Sequence, residues 1–324
     1  MELNRNRSLV CELSLEEDRL GLTGIYSVAF CLGLPANLLS LWGVSRLGVQ
    51  RGGVQLVLML NLLLSDLLQL LTLPLWLVVL QGAHHWRYSP ELCQLVGYVF
   101  YVNLYASVAF LTLIALDRYL LIVHPLASRG WCHSVLAARL AGLAVWALTL
   151  LFCLSGLYPT IYHKDTGLCL EKYPTTPRYA KFKIATVVLG YLLPCIVLGY
   201  TSTRIHLALR RSSSTSTHER HRIVGTLGLI TIIFVLVFGP YHLVGGYKFV
   251  AFFLQQDRCA LERELFLPYR LSYGLTSLNG LLDSFFYIFL CRDVRQELRQ
   301  SLPCLNPEPE VSANHDQLIQ SDYL

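Results

Sequence analysis

Five ionisable side chains stand where ionisation is expensive: Asp66, Asp117, Arg118, His242 and Asp283 are each embedded in or beside a long apolar run. Such residues are functional candidates by default, because a low-dielectric interior penalises a charge that has no partner or task. Asn37, Asn61, Asn103, Ser107 and Asn279 add hydrogen-bonding groups to the same runs. Helix-to-helix hydrogen bonding accounts for many of these Asn and Ser positions. It is a weak account of two separate carboxylates. If Asp66 and Asp283 face one pocket, both cannot readily ionise; they share a proton or hold a cation, and titrate as a coupled pair. A second set consists of His84, His85, His163 and His242. Histidine titrates near pH 6.5, so those at an outer surface can report acidity. His84 and His85 are adjacent, and protonating both makes like charges repel, which can open a packed surface; the alternative is that loop histidines are simply solvated. Arg270 and Lys248 suit the carboxylate or phosphate of a lipid, or snorkel to the interface. The chain shows neither a metal-ligand cluster nor a nucleophile motif in a loop, so it is not expected to be an enzyme.

The elements that must position these groups are membrane spans. Of 324 residues, 54% are hydrophobic and 15% charged, against roughly 25% charged in soluble domains. Mean hydropathy is +0.49. The charges collect in short stretches between long apolar runs, whereas soluble core helices are shorter and broken by polar faces. Spans are expected at 22–45, 54–80, 92–122, 134–158, 180–209, 223–254 and 263–290, each able to cross a ~30 Å core that takes ~20 residues. The expected fold class is therefore an all-α, seven-transmembrane helix bundle. Residues 1–21 form an extracellular N-terminus without a cleavable signal peptide, and 22–290 the bundle. Residues 291–303 read as a short amphipathic eighth helix on the membrane surface, with Val294, Leu298 and Leu302 on one face. Residues 304–324 form a disordered cytoplasmic tail that starts at Cys304, a palmitoylation candidate. Pro74, Pro194 and Pro240 punctuate the spans, and a kink at Pro240 below His242 makes a hinge between an outer site and the inner surface. The net charge of +5 is not gathered into a nucleic-acid site, and there is no internal repeat of the kind transporters show.

Orientation is read from cysteine. Lys and Arg are spread evenly over both sides, with Lys181 and Lys183 counted among the outer segments. Cys11, Cys93, Cys169 and Cys259 all fall on one side of a seven-span bundle, and disulfides need an oxidising compartment, so that side is outside. The sequon Asn6-Arg7-Ser8 lies there too. Cys31, Cys153 and Cys195 read as small apolar residues or free thiols.

Along residues 20–303 the chain resembles rhodopsin-like G-protein-coupled receptors. The carriers are Gly33-Leu-Pro-Ala-Asn37, Asn61-Leu-Leu-Leu-Ser-Asp66, Cys93, Asp117-Arg118-Tyr119, Trp146, Pro194, Phe238-Gly239-Pro240-Tyr241 and Asp283-Ser-Phe-Phe-Tyr287, in order, about one per span. The resemblance implies a disulfide between Cys93 and Cys169. It implies that Asp117 holds Arg118 at rest and releases it to meet a heterotrimeric G protein, which makes physical sense because an unpaired buried Arg is costly. It also implies a mid-membrane sodium and water pocket of Asp66, Ser107, Asn279 and Asp283, and a Tyr287 that swings inward on activation. Arrestin and receptor kinases are implied partners, and the plasma membrane the location. A run from Ser212 to Thr217 in the third inner loop is a phosphorylation candidate.

A second set of motifs looks like the proton-sensing and lysolipid-responsive subfamily, in particular its member responsive to oxidised fatty acids and lysophosphatidylcholine. These are Leu126-Ala-Ser-Arg-Gly130, Cys169-Leu-Glu-Lys-Tyr-Pro174, Phe238-Gly-Pro-Tyr-His-Leu243 and Leu275-Thr-Ser-Leu-Asn279. That group's second disulfide matches Cys11 and Cys259. Nucleotide and other lysophospholipid receptors of the same branch, which share Asp283, are the alternatives. Four departures matter. Thr149 stands where several members carry a buried glutamate, and Arg270 where several carry a histidine; Ser202 replaces a tyrosine, and Ser284 a proline. They imply a modest acid response.

Overall fold

A computed structural model describes residues 11, 13–47, 49–125, 134–158, 161–164, 166–170, 173–211 and 217–290; for 47, 49–52, 217–222, 226 and 285–290 only the backbone is described. The sequon at Asn6, the motif at 126–130, residues 212–216 of the serine-threonine run, the surface helix at 291–303 and Cys304 lie outside these residues.

The chain forms a seven-span helical bundle. The first four spans are α1 Arg19–Leu47, α2 Val49–Gln81, α3 Pro90–Val123 and α4 Val135–Leu157. The fifth is α5 Pro177–Val187, a π-helical turn Val188–Leu192 and α6 Leu193–Arg211; the sixth is α7 Thr217–Leu254. The seventh is α8 Arg258–Leu275, a 3₁₀ turn Thr276–Leu278 and α9 Asn279–Leu290. Six spans are individually long and apolar enough to cross a membrane. The seventh is interrupted by its 3₁₀ turn and carries Arg258, Glu262, Arg263, Glu264 and Arg270 in its outer half.

Local chemistry sets the ends. Ser89, Ser134, Thr176 and Asp257 accept hydrogen bonds from the backbone N–H three residues on, and Pro90 and Pro177 occupy first helical positions that need no donor. The cap at Asp257 explains why the seventh span begins at Arg258, a turn before the apolar pattern starts at 263. Between the first two spans, helix resumes at Val49 but breaks at Gly53, whose φ of 60° and ψ of −149° only glycine adopts readily. In the fifth span, Pro194 lacks an N–H and crowds the carbonyl four residues back, and the π-helical turn lies over those residues.

The spans pack in a ring: α1 on α2, α2 on α3, α3 on α4 and α6, α7 on α5 and α8, and α9 back on α1 and α2. The third span is the axial one, buried from Cys93 to Asp117. Leu32, Leu143, Leu151, Leu193, Ile196 and Leu236 face outward, as helices surrounded by lipid require. On one end of the bundle a short hairpin, β1 Tyr162–His163 against β2 Leu168–Cys169, is tied to the third span by the disulfide Cys93–Cys169, with Cα atoms 5.9 Å apart. Cys11 is bonded to Cys259 across 5.3 Å, which fastens the N-terminal segment to the seventh span.

Close helix approach requires Gly156: a Cβ there would overlap the Phe182 ring, whereas one on Gly199 would meet nothing within 4 Å. Gly156→Ala is expected to destabilise the purified protein by about 1–3 kcal/mol through overpacking and to lower Tm by several degrees, while Gly199→Ala leaves Tm near the parent value. Equal melting curves for the two variants would show that the fourth and fifth spans are not packed this tightly.

Candidate functional site

The polar residues of the bundle fall into layers. In the middle, Ser107 Oγ donates to Asp66 Oδ1 (3.0 Å), and the Asn279 amide reaches Asp283 Oδ2 (2.7 Å), Ser107 Oγ (3.3 Å) and Asp66 Oδ1 (3.5 Å). All four side chains are buried. The second, third and seventh spans therefore bring the two carboxylates into one cluster. Among the described residues, the buried oxygens Asp66 Oδ2 and Asn279 Oδ1 have no hydrogen-bond partner. Beside this cluster, Asn37 Nδ2 donates to Gly33 and Gly280 carbonyls (2.9 and 2.8 Å), joining the first span to the seventh. Trp146 Nε1 donates to Asn61 (2.9 Å), joining the fourth to the second. Ser284 donates to the Gly280 carbonyl (2.8 Å) and lets α9 continue where a proline would break it.

At the inner end of the third span, Arg118 donates to Asp117 Oδ2 (3.0 Å) and to Gln55 Oε1 of the second span (2.7 Å). Nothing in the sequence singles out Gln55, because a glutamine at a span end reads as solvated. Tyr119 points elsewhere, toward His124 Nε2 (2.9 Å) and the Tyr200 ring, whose centroid is 5.8 Å away. The Tyr287 side chain lies outside the described atoms.

In the sixth span Pro240 lies inside α7, two residues after fully buried Phe238. His242 is no surface histidine. It is 1% exposed, its Nδ1 donates to the Phe238 carbonyl (2.8 Å), and its ring stacks on Tyr191 at 5.0 Å.

The outer end corrects the histidine-pair expectation. Ala83 and His84 have φ of 54° and 62°, a local turn that sends His84 inward and leaves His85 exposed beside Gly167. His84 is 1% exposed and its Nε2 lies 2.9 Å from Asp18 Oδ1. The other oxygen of that fully buried carboxylate accepts from Arg270 Nε. His84 is thus matched with an anion rather than with His85. His163 sits half-buried on β1, apart from this group. Lys248 and Arg270 do both line the outer cavity, of about 60 Å³, with Trp76, Tyr101, Tyr179 and Tyr273. Neither stands ready for a ligand as expected. Arg270 holds Asp18, and Lys248 Nζ lies 2.7 Å from Glu262, a buried acid that also accepts from the Thr175 N–H (2.9 Å).

Lys183, expected on an outer segment, is 2% exposed inside the bundle. Its Nζ donates to the hydroxyls of Tyr101 (2.9 Å) and Tyr241 and lies 4.1 Å from the Tyr101 ring centre. The helical period was the available signal: Tyr179, Lys183 and Thr186 share one face, away from exposed Lys181.

Two tied carboxylates at mid-membrane, a held arginine at one end and a disulfide-closed cavity at the other describe a transmembrane signal receptor. Residues 22–287 match the 7 transmembrane receptor (rhodopsin family), and the chain belongs to that family, the G-protein-coupled receptors. It is 31% identical to human probable G-protein coupled receptor 132, over 88% of this chain and 75% of that one. It is 30% identical to human G-protein coupled receptor 65 (85% and 84%) and 35% identical to mouse lysophosphatidic acid receptor 5 (88% and 78%). These relatives lie on the branch that its motifs indicate.

The Gln55 contact yields a prediction. A hydrogen bond to a charged group contributes about 1.5–3 kcal/mol. Gln55→Leu is expected to raise basal G-protein signalling severalfold at matched surface expression. A basal signal equal to the parent would remove Gln55 from the restraint on Arg118.

Proposed function

We propose that the chain is a plasma-membrane receptor, N-terminus outside, that reports an acidic lipid of the lysophospholipid or oxidised fatty-acid class to heterotrimeric G proteins. Protons tune the response, and receptor kinases and arrestin end it. The observation that carries the lipid reading is the outer cavity, walled by aromatic and apolar side chains, with Lys248 and Arg270, each paired with its own carboxylate, among its lining. Aromatic and apolar walls with a few placed charges suit an amphipathic anion. The similarity to a lysophosphatidic acid receptor supports it. The orientation is supported by Cys93–Cys169 and Cys11–Cys259, which need an oxidising side.

The proton reading rests on His84. When its imidazole takes up a proton, the hydrogen bond between Nε2 and Asp18 becomes an ion pair and strengthens. Acid therefore tightens the clasp between the N-terminal segment and the first outer loop, and alkali loosens it. The mid-membrane cluster is proposed as a sodium site: the unpartnered Asp66 Oδ2 and Asn279 Oδ1, with the Ser107 oxygen, form a hard-oxygen donor set that fits such an ion. Asp66, Ser107, Asn279 and Asp283 would hold it, and it would stabilise the resting bundle by balancing the carboxylates.

A lipid panel and a pH titration with cyclic AMP, inositol phosphate and Rho reporters in transfected cells provide the test. An acidic lysolipid or oxidised fatty acid is expected to signal, with a response that changes between about pH 8 and 6. His84→Phe is expected to flatten the pH dependence and His85→Phe to leave it in place. A flat parent response removes the proton reading, and a response only to nucleotides replaces the lipid one.

A further inference from the structure

Three of the inward-facing cations have carboxylate partners: Arg118 has Asp117, Lys248 has Glu262 and Arg270 has Asp18. Lys183 does not. Among the described residues its ammonium is met only by the Tyr101 and Tyr241 hydroxyls and by aromatic faces, those of Tyr101, Tyr179, Phe182 and Tyr241 at 4.1–6.0 Å. Hydroxyl dipoles and π faces soften the loss of water but bring no anion to balance the ammonium form.

The surroundings are rich in donors. Among the described residues Tyr273 Oη and Tyr269 Oη, both buried, meet no hydrogen-bond partner, and their rings stand 5.4 and 5.7 Å from that of Tyr241. A tyrosine hydroxyl that accepts from an ammonium can turn and donate to an anion. The cage also adjoins the outer cavity: Tyr101, Tyr179, Tyr269 and Tyr273 are cavity wall, and the Tyr101 hydroxyl that accepts from Lys183 also meets the Tyr179 hydroxyl at 2.9 Å.

We propose that Lys183 is the charge anchor for the ligand's acidic head group, a carboxylate or phosphate monoester that parts the Tyr101–Tyr179 contact and is held by the ammonium and the surrounding tyrosine hydroxyls. The acyl chain lies toward Trp76, Val79, Leu80 and Phe249 of the cavity. Lys248 and Arg270 keep their own carboxylates and shape the entrance. This inference rests on the lipid reading above and names its anchor.

The test uses the full-length receptor in transfected cells, with surface expression measured by an N-terminal tag. The probes are 1-oleoyl lysophosphatidic acid, oleic acid, uncharged monoolein, glycerol 3-phosphate and ATP. The acidic lipids are expected to activate the parent. Lys183→Gln raises their EC50 about 30-fold or more, as loss of one partner of a buried charge pair does, and Lys183→Arg stays within about tenfold of the parent. Any monoolein response is unmoved by either change. If Lys183→Gln does not reach the surface, Tyr241→Phe, which removes one hydroxyl, carries the test with a severalfold loss of potency toward the acidic lipids. Unchanged potency of those lipids on Lys183→Gln, or on Tyr241→Phe where that variant carries the test, overturns the anchor and leaves the lipid reading standing. An equal loss for monoolein overturns it too, because Lys183 is then structural. Activation by glycerol 3-phosphate or ATP that depends on Lys183 gives the site to a soluble phosphate instead of a lipid. A parent that ignores every acidic lipid overturns both readings.

Discussion

A cation removed from water loses several kcal/mol of hydration unless an anion or a set of dipoles replaces the lost solvent. Most of the architecture around the two ends of this bundle answers that constraint. Asp18 is the clearest case: a fully buried carboxylate receives Arg270 from the seventh span on one oxygen and His84 from the first outer loop on the other. Three segments distant in sequence meet at one charge. The Cys11–Cys259 bond fastens the N-terminal segment to the beginning of the same seventh span. The disulfide lowers the entropy of bringing Asp18 to Arg270, and the ion pair fixes where it arrives. Glu262 does similar work nearby, holding Lys248 and the Thr175 backbone together.

Helix irregularities serve the mid-membrane cluster. A continuous seventh helix would present its side chains at a steady 100° per residue. The 3₁₀ turn at Thr276–Leu278 resets that phase immediately before Asn279, whose amide then reaches Asp66, Ser107 and Asp283. In this family's pattern a proline would stand at Ser284; here Ser284 bonds the Gly280 carbonyl and the break lies a turn and a half earlier. The polar cluster and the backbone distortion thus meet at Asn279, whose amide joins the two carboxylates.

The spans were legible in the sequence, since apolar runs and their caps are local. So were the mid-membrane carboxylates and the Asp117–Arg118 pair, whose polarity stands out against their neighbours. The partners at the outer end were not. Asp18 sits in the acidic run Glu16-Glu17-Asp18, and Glu262 is followed by charged Arg263 and Glu264, so both read as solvated; only the tertiary fold shows that they are buried. Sequence adjacency misled at His84 and His85, where two positive-φ residues turn the chain so that neighbours face opposite ways. Lys183 was hidden by its company, two lysines in a short polar stretch of which one lies on the inner face of the helix.

The exchange of a histidine for Arg270 then acquires a definite meaning. A guanidinium stays protonated at any physiological pH, so Asp18 keeps one cationic partner whether the medium is acid or neutral. Of the two partners only the imidazole of His84 is of a kind that can change its charge in that range. On the proton reading, acid changes the clasp from one cation to two; it never changes it from none to one. Such a site grades the strength of a contact that is always made, whereas a histidine in place of Arg270 would allow the contact to form and dissolve. Thr149 removes a further titrating position, since its hydroxyl merely back-bonds to the Val145 carbonyl at 2.8 Å. Lys183, whose ammonium form meets no anion among the described residues, lies beyond this clasp against Tyr101 of the cavity wall. On the two proposals together the labour is divided: protons would adjust the outer closure, and the deeper cation would receive an anion from outside the chain.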